Sequence, residues 1–399
     1  MSRIETLIAE FAPSGVEFRT LGEIAILERG NGMPKVDLTA QGVGAIHYGQ
    51  IYTRYGAWTS ETISFVAPEK ATKLAQVRPG DIIITNTSEN MKDVCKAVAW
   101  LGRESIVTGG HATVIKHNQN PKYLSYWFQS ESFQMQKRAL ASGTKVVDVS
   151  AKQLLKVRLP VPALEVQREI VRILDQFTQL EAELEAELEA RRRQYEYYQR
   201  SLLAFPEDEV AWMTLGDIGK VSMCKRVFKH ETSAVGDIPF FKIGTFGGEP
   251  DAYIAGSLFE DYKLRYSFPK KGDVLISAAG TIGRVFSYDG RPAYFQDSNI
   301  VWVDNDETLV LNSYLIHWYR VIEWATDGAT IRRLYNDNIR RAKIAVPSIA
   351  DQRRIVGTLD KFDALVNDLS IGLPAELTAR RKQYEYYRDR LLTFKEATV

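Results

Sequence analysis

Three short patterns in this 399-residue chain hold side chains that could do chemistry. Pro250 and Asp251, followed by Asp261, Tyr262 and Lys263, offer the carboxylates and lysine with which a metal-dependent nuclease holds a cation and supports an attacking water. The supporting strand pattern for such a site is missing. Asn120-Pro121-Lys122-Tyr123 approximates the N-P-P-Y of amino-methyltransferases, but Lys122 replaces the second proline and no glycine-rich strand-turn-helix precedes it. The glycines of GTIGR at Gly280 do not fit a phosphate loop, which needs G-x-x-x-x-G-K-[ST]. They suit a tight turn that brings backbone close to a ligand.

A broader pattern is a scatter of basic and polar residues over predicted loops. Lys35, Arg54, Tyr55, Lys92, His111 and Lys145 lie in the first half of the chain. Lys225, Arg226, Lys229, Lys242, Arg284, Arg332 and Arg333 lie in the second. Basic groups suit phosphates, while Arg, Asn, Gln and Asp can address base edges, so this set predicts DNA binding. Each residue taken alone is also compatible with ordinary solvated charge.

The elements that must position these loops repeat. ARRRQYEYYQRSLLAF from Ala190 returns as ARRKQYEYYRDRLLTF from Ala379, and VPALEVQREIVRILDQFTQL from Val161 returns as VPSIADQRRIVGTLDKFDAL from Val346. The second pair shares ten of twenty positions. Its register difference is 185 residues against 189 for the tyrosine-rich segment, an insertion of four. Four residues are about one helical turn, so the buried stripe keeps its direction. VEFRTLGEI is echoed by VAWMTLGDI, RPGDIIIT by KKGDVLIS and YLSYWF by YLIHWY. The chain is a domain duplication, not a solenoid.

Apolar residues at Ile170, Ile173, Leu174, Phe177, Leu180, Leu184, Leu188, Tyr195, Tyr198 and Leu202 recur at helical spacing. They predict a rod of about 60 Å from Glu165 to near Ala204. The second stripe runs from Ile355 through Leu369 and Leu377 to Leu391, but Gly372 and Pro374 interrupt it. A break is expected there, with Pro374 in the first turn of a new helix. One copy's stripe is the natural cover for the other's. Tyr197 and Tyr386 lie off the stripe, and with Arg192, Arg193, Arg381 and Lys382 they form either a solvated face or a docking face for a partner.

The intervening segments read as many short strands, among them IIIT at Ile82, HATVIKH at His111, FFKIG at Phe240, DVLIS at Asp273 and NIVWV at Asn299. YLSYWFQSESFQMQKRAL and SYLIHWYRVIEW read as helices. The expected fold class is α+β: two mixed domains joined by two long antiparallel helices, with pseudo-twofold duplication. The expected boundaries are 1–160 and 207–345 for the mixed domains, and 161–206 and 346–399 for the helices.

Composition is that of a globular protein, 45% hydrophobic and 25% charged with net charge +1. No stretch suits a membrane span, and MSRIETLIAEFAP lacks the features of a signal peptide, which together predict a cytoplasmic location. Cys95 and Cys224 suggest neither a disulfide framework nor structural zinc, and no metal site is expected.

The paired RRxQYEYYxxxLLxF and V-P-x-x-x-x-Q-R-x-I-V motifs, in this order along the whole chain, resemble the specificity (S) subunit of type I restriction-modification systems. The resemblance implies two target-recognition domains that bind a bipartite site on double-stranded DNA, separated by a spacer that the helices set. It implies no catalysis and no cofactor in this chain. It implies two methyltransferase (M) subunits and restriction (R) subunits as partners, which bring S-adenosylmethionine, ATP and Mg. Partner docking would fall around Arg191 to Phe205 and Arg380 to Phe394. The Glu-rich EAELEAELEA of the first helix has no counterpart in the second, so the two docking surfaces are not expected to be equivalent. A solitary nuclease using Asp251, Asp261 and Lys263, or a coiled-coil scaffold without a DNA role, are the competing readings. If the helices act as a ruler, adding or deleting four residues between Glu181 and Leu188 changes the spacer and leaves both half-sites intact. Altered half-sites, read by methylation mapping, would sink the ruler.

Overall fold

The computed structural model describes residues 3–143, 145–327 and 332–397. Five helices organise it: α1 (Pro121–Trp127), α2 (Leu164–Leu203), α3 (Asn312–Val321), α4 (Ile349–Asn367) and α5 (Leu373–Leu391). The first predicted rod is the 40-residue α2. The second is two 19-residue helices, with Pro374 in the first turn of α5 as its missing N–H requires. Asp368 ends the preceding stretch by accepting from the Ser370 and Ile371 N–H groups at 2.7 and 3.2 Å. Leu369, expected on the buried stripe, therefore lies in the linker and is 81% exposed.

The chain folds as two compact units, Met1–Leu184 with Leu377–Val399, and Glu185–Glu376. The division cuts α2, so each unit combines helical segments from both copies of the repeat. In the first unit Phe177 stacks on Tyr387 with centroids 5.5 Å apart and lies 6.5 Å from Tyr384, while Glu181 meets Arg381 at 2.6 Å. The numbers run in opposite directions, so this pair of helices is antiparallel. In the second unit Phe362 stacks on Tyr198 at 5.1 Å and on Tyr195 at 6.5 Å. Phenylalanine from the LDxF of one copy thus packs on the first and third tyrosines of the other copy's QYEYY, in both units.

Within the first unit, strands β1 (Ala25–Arg29), β2 (Val43–Ile46), β3 (Ile82–Thr85), β4 (Ala97–Trp100) and β5 (Ala112–His117) carry the core. β5 lies between β1 and β3 in a five-stranded sheet, and β3 pairs with β4. All four residues of β3 and of β4 are buried, which explains their continuous apolar runs. β2 belongs to a four-stranded sheet. The second unit repeats the plan with β6 (Gly219–Ser222), β7 (Ile238–Phe241), β8 (Val274–Ser277) and β9 (Ile300–Asn305); β9 lies between β6 and β8. The strand-like runs singled out in the sequence lie in strands, except that FFKIG leaves its strand after Phe241. YLSYWFQSESFQMQKRAL is two helices, because Ser130 caps a new one by accepting from the Phe133 N–H at 3.3 Å.

The repeated V-P-x-x-x-x-Q motif has a physical reason. Gln167 is fully buried; its carbonyl accepts from the Asn120 N–H at 2.9 Å and its amide donates to Gln119 Oε1 and the Pro162 carbonyl, both at 2.8 Å. Gln352 accepts from the Leu311 N–H at 2.9 Å and donates to the Leu309 and Pro347 carbonyls at 2.9 and 3.0 Å. Each glutamine ties the start of a long helix to the short helix beside it. Tyr123 and Tyr314 add matched bonds to the Pro160 and Ala345 carbonyls at 3.0 and 3.1 Å. Asp175 accepts from Tyr126 at 2.6 Å where Asp360 meets His317 at 2.9 Å. The N-P-K-Y tetrapeptide is a helix start, with Asn120 capping the Lys122 and Tyr123 N–H groups and Tyr123 buried. In the first unit Val16 also exchanges hydrogen bonds with Lys395 and Ala397. Gly15, at φ +114, passes so close to Ala397 that a Cβ would stand 2.8 Å from its nitrogen, so this crossing needs glycine.

Two measurements follow from these contacts. Gln352→Leu removes three hydrogen bonds and strands buried polar groups, so it is expected to lower the unfolding free energy by about 2–4 kcal/mol in urea denaturation; Gln167→Leu should match it. An unchanged urea midpoint would show that the anchors contribute nothing. Burial pushes His117 down to about 4, and burial also lowers His317 despite Asp360, and His47, where Lys35 and His111 add to it. A lowered folded-state value means that stability is full above the ordinary histidine value of about 6.5 and declines as pH falls below it. The urea midpoint should therefore drop between about pH 6.5 and about pH 5, above the carboxylate range, and His117→Asn should shrink that drop.

Candidate nucleic-acid interface

The second unit gathers part of its basic set. The chain leaves β6 through Met223 and buried Cys224, so Lys225 and Arg226 emerge exposed. It then makes a tight turn at Lys229–Glu231, fixed by Glu231 accepting from the Phe228 N–H at 2.7 Å. Lys242 follows β7 directly. Arg333 reaches back so that its Nη2 donates to the Ser298 carbonyl at 3.2 Å and to Asn299 Oδ1 at 3.1 Å. A cleft of about 580 Å³ is lined by Arg226, Phe228, Lys229, Lys242, Asn299 and Arg333, among others. Arg226 pairs with Asp297 at 2.9 Å and Lys242 with Asp251 at 2.8 Å. Such exposed pairs are worth about 0–1 kcal/mol, little enough for a phosphate to replace the carboxylate.

The first unit has equivalent positions. Glu28 of β1 pairs with Val114 as Ser222 of β6 pairs with Trp302. Seven residues beyond each, Lys35 and Lys229 open equivalent turns, Lys35–Asp37 and Lys229–Glu231, and both are exposed. His47 follows β2 as Lys242 follows β7; the His47 N–H donates to Gln50 Oε1 at 3.0 Å and the Lys242 N–H to Thr245 Oγ1 at 3.1 Å. His47 is 5% exposed, and its Nδ1 accepts from the Gly49 N–H at 3.1 Å. Tyr48 joins the rings of His47 and His111, with centroids 4.5 and 5.0 Å away. His111 is exposed, and its Nδ1 lies 2.9 Å from Thr87 Oγ1.

The remaining sequence-predicted residues are placed differently. Tyr55 is a correction: it is 8% exposed in an apolar core and its hydroxyl accepts from the Ile63 N–H at 3.0 Å, so it is held away from any ligand. Arg54, Lys92, Lys145 and Arg332 are exposed on loops outside these two clusters. Lys225 lies 5.1 Å over the Tyr266 ring. Arg284 donates to the Ile243 carbonyl at 3.0 Å and lines a second cleft of about 460 Å³ with Phe246 and Phe286. The glycines of GTIGR do form a turn, Gly280 and Gly283 having φ +63 and +80. Asp251 pairs with Lys242 and Asp261 with Arg265 at 3.0 Å, so the two carboxylates point to different cations. Among the described residues no group of three His, Cys, Asp or Glu could hold a metal ion. Sequence reasoning missed His47, Tyr48, Thr87, Asp148 and Asn299. The available signal was the alignment of the loops at a register near 194, where Lys35 meets Lys229.

The face expected to meet a partner is exposed. Tyr197 and Tyr386 are 67% and 59% exposed, each edge-on to the next tyrosine, at 5.6 and 5.3 Å. Arg192, Arg193 and Lys382 are exposed. Arg193 lies 3.4 Å from Glu189, and Arg381 is drawn to Glu181, so the two faces differ in their cations. Among the described residues no helix is long and apolar enough to cross a membrane.

The type I restriction modification DNA specificity domain matches residues 13–190 and again 207–379. A putative type I restriction enzyme specificity subunit of Haemophilus influenzae is 48% identical over 293 residues, covering 71% of this chain and 75% of that one. The EcoR124I/EcoR124II specificity subunit of Escherichia coli is 32% identical over 289 residues, covering 68% and 70%. Two solved structures share the fold. One, from work on assembly and conformational transition of the type I R-M system, has TM-score 0.62 at 17% identity, covering 95% of this chain and 98% of its own. The other, the type I S subunit of M. genitalium, has TM-score 0.53 at 15% identity, covering 95% and 96%. With the domain matched twice and the sequence likeness extending over most of its length, this chain belongs to the family of type I restriction-modification specificity subunits.

Proposed function

We propose that this chain is the DNA-reading component of a type I restriction-modification assembly, each unit binding one half of a two-part site on double-stranded DNA. The observation that carries this reading is the matched pair of exposed lysines, Lys35 and Lys229, which open equivalent turns on duplicated units whose neighbouring side chains differ. Cations at equivalent backbone positions suit phosphates, which every sequence presents alike. Divergent neighbours suit two different half-sites. The chain supplies no catalytic group; methyltransferase and restriction subunits dock on the exposed tyrosine faces at Tyr197 and Tyr386 and bring S-adenosylmethionine, ATP and Mg.

Binding to a duplex should fall steeply with salt. Lys35→Ala and Lys229→Ala should each weaken binding about equally across sequences and reduce the salt slope by about 1. Fluorescence anisotropy on cognate and scrambled duplexes over a salt series tests this. Absence of any DNA binding by the wild-type chain with its methyltransferase would refute the reading; a solitary nuclease would instead cut DNA with magnesium and lose that activity in Asp251→Ala.

A further inference from the structure

One junction of three chain segments is built the same way in both units. In the first, the Asn86 N–H donates to the His111 carbonyl at 2.8 Å and the Val149 N–H donates to the Asn86 carbonyl at 2.9 Å. In the second, the Ala278 N–H donates to the Asn299 carbonyl at 2.7 Å and the Leu334 N–H to the Ala278 carbonyl at 2.9 Å. The junction joins the end of β3 or β8, the start of β5 or β9, and the loop that returns before the long helix. The same main-chain bonds recur in both units whatever side chains stand at His111, Asp148, Asn299 and Arg333, and in the first unit the Asn86 side chain adds a bond to the Val149 carbonyl at 2.8 Å.

They do change, and in chemistry. His111 stands where the second unit has Asn299, and Asp148, one residue before Val149, stands where it has Arg333. Charge inverts at the second of these positions. A residue that met phosphate in both units could not be Asp in one and Arg in the other, because the carboxylate would repel the backbone. Base edges accept either: Asp can take a hydrogen bond from cytosine N4, Arg is suited to guanine O6 and N7, and Asn to adenine.

The backbone is also strained there. His111 has φ +67 and Ser298, beside Asn299, has φ +59, a region that non-glycine residues enter at a cost. The side chains are fixed before any ligand arrives, His111 by Thr87 and the Tyr48 ring, Asn299 by Arg333. With Nδ1 of His111 engaged, the other ring nitrogen can donate or accept at a base edge according to tautomer.

We propose that this junction is the base-reading head of each unit: His111 and Asp148 set the identity of bases in one half-site, and Asn299 and Arg333 set it in the other. The assignment rests on the DNA-reading function proposed above and names the residues that separate reading from phosphate binding.

Methylation mapping of cells carrying the full chain and its methyltransferase subunit tests it, with four variants chosen to spare the fold. His111→Gly tolerates the positive φ, Asp148→Asn and Asn299→Ala keep or reduce size, and Arg333→Lys keeps charge while losing the two-pronged donor. His111→Gly and Asp148→Asn should broaden the first half-site at one or two positions and leave the second unchanged; Asn299→Ala and Arg333→Lys should do the reverse. Discrimination at an affected base should fall about tenfold to a hundredfold. The untouched half-site reports that each variant is folded. Half-sites identical to wild type, a uniform decline at all sites, or loss of all methylation would each overturn the assignment. A wild-type chain that yields no two-part site would instead defeat the function on which it rests.

Discussion

The packing of Phe177 against Tyr384 and Tyr387, and of Phe362 against Tyr195 and Tyr198, is the contact on which the rest depends. In each unit it joins a helix from one copy of the repeat to a helix from the other. Aromatic pairs of this kind contribute about 0.5–1.5 kcal/mol each beyond the area they bury. Neither copy completes a unit by itself, because the tyrosines that cover its own phenylalanine come from elsewhere in the chain. The core of the first unit accordingly includes Leu392, with Tyr384, Leu391 and Phe394 packed against it. The duplication is therefore structural before it is functional: the same two motifs must be present twice, and each must fit the other's partner.

That constraint explains which parts of the repeat stay alike. The LDxF and QYEYY segments face each other, and the V-P-x-x-x-x-Q glutamine anchors each long helix to the short helix beside it through three hydrogen bonds at full burial. Asp175 and Asp360 hold equivalent places while their partners differ, a tyrosine in one unit and a histidine in the other. Substituting a donor while keeping the acceptor preserves the bond, but the buried histidine adds an acid sensitivity that the tyrosine lacks.

The helices were legible in the sequence because they repeat in type as well as spacing. Pro374 announced the break between α4 and α5, since a missing N–H is tolerated only in a first turn. The same periodicity misplaced Leu369, because a stripe drawn through the break counts residues that no longer belong to a helix. The strands were legible from their apolar runs, as at Ile82–Thr85, buried throughout. The site was much less so. A basic or aromatic residue in a loop looks the same in sequence whether it emerges, like Lys229, or turns inward, like Tyr55. Lys35 aligns with Lys229 at the 194-residue offset that VEFRTLGEI and VAWMTLGDI already show, whereas His47 and Lys242, 195 apart, are matched by the strands they follow.

Matched and unmatched positions around the two basic surfaces divide by what they would have to recognise. Exposed lysines recur at Lys35 and Lys229, where phosphates impose the same demand on both units. At His111 and Asn299, and at Asp148 and Arg333, the backbone bonding is kept to within 0.1 Å while hydrogen-bonding character and even charge are exchanged. A scaffold held together by its main chain can alter such side chains without altering its shape, whereas a scaffold that relied on their contacts could not. Divergence at these places is then a property the fold permits, because the glutamine and aromatic contacts that hold the long helices involve none of these four residues.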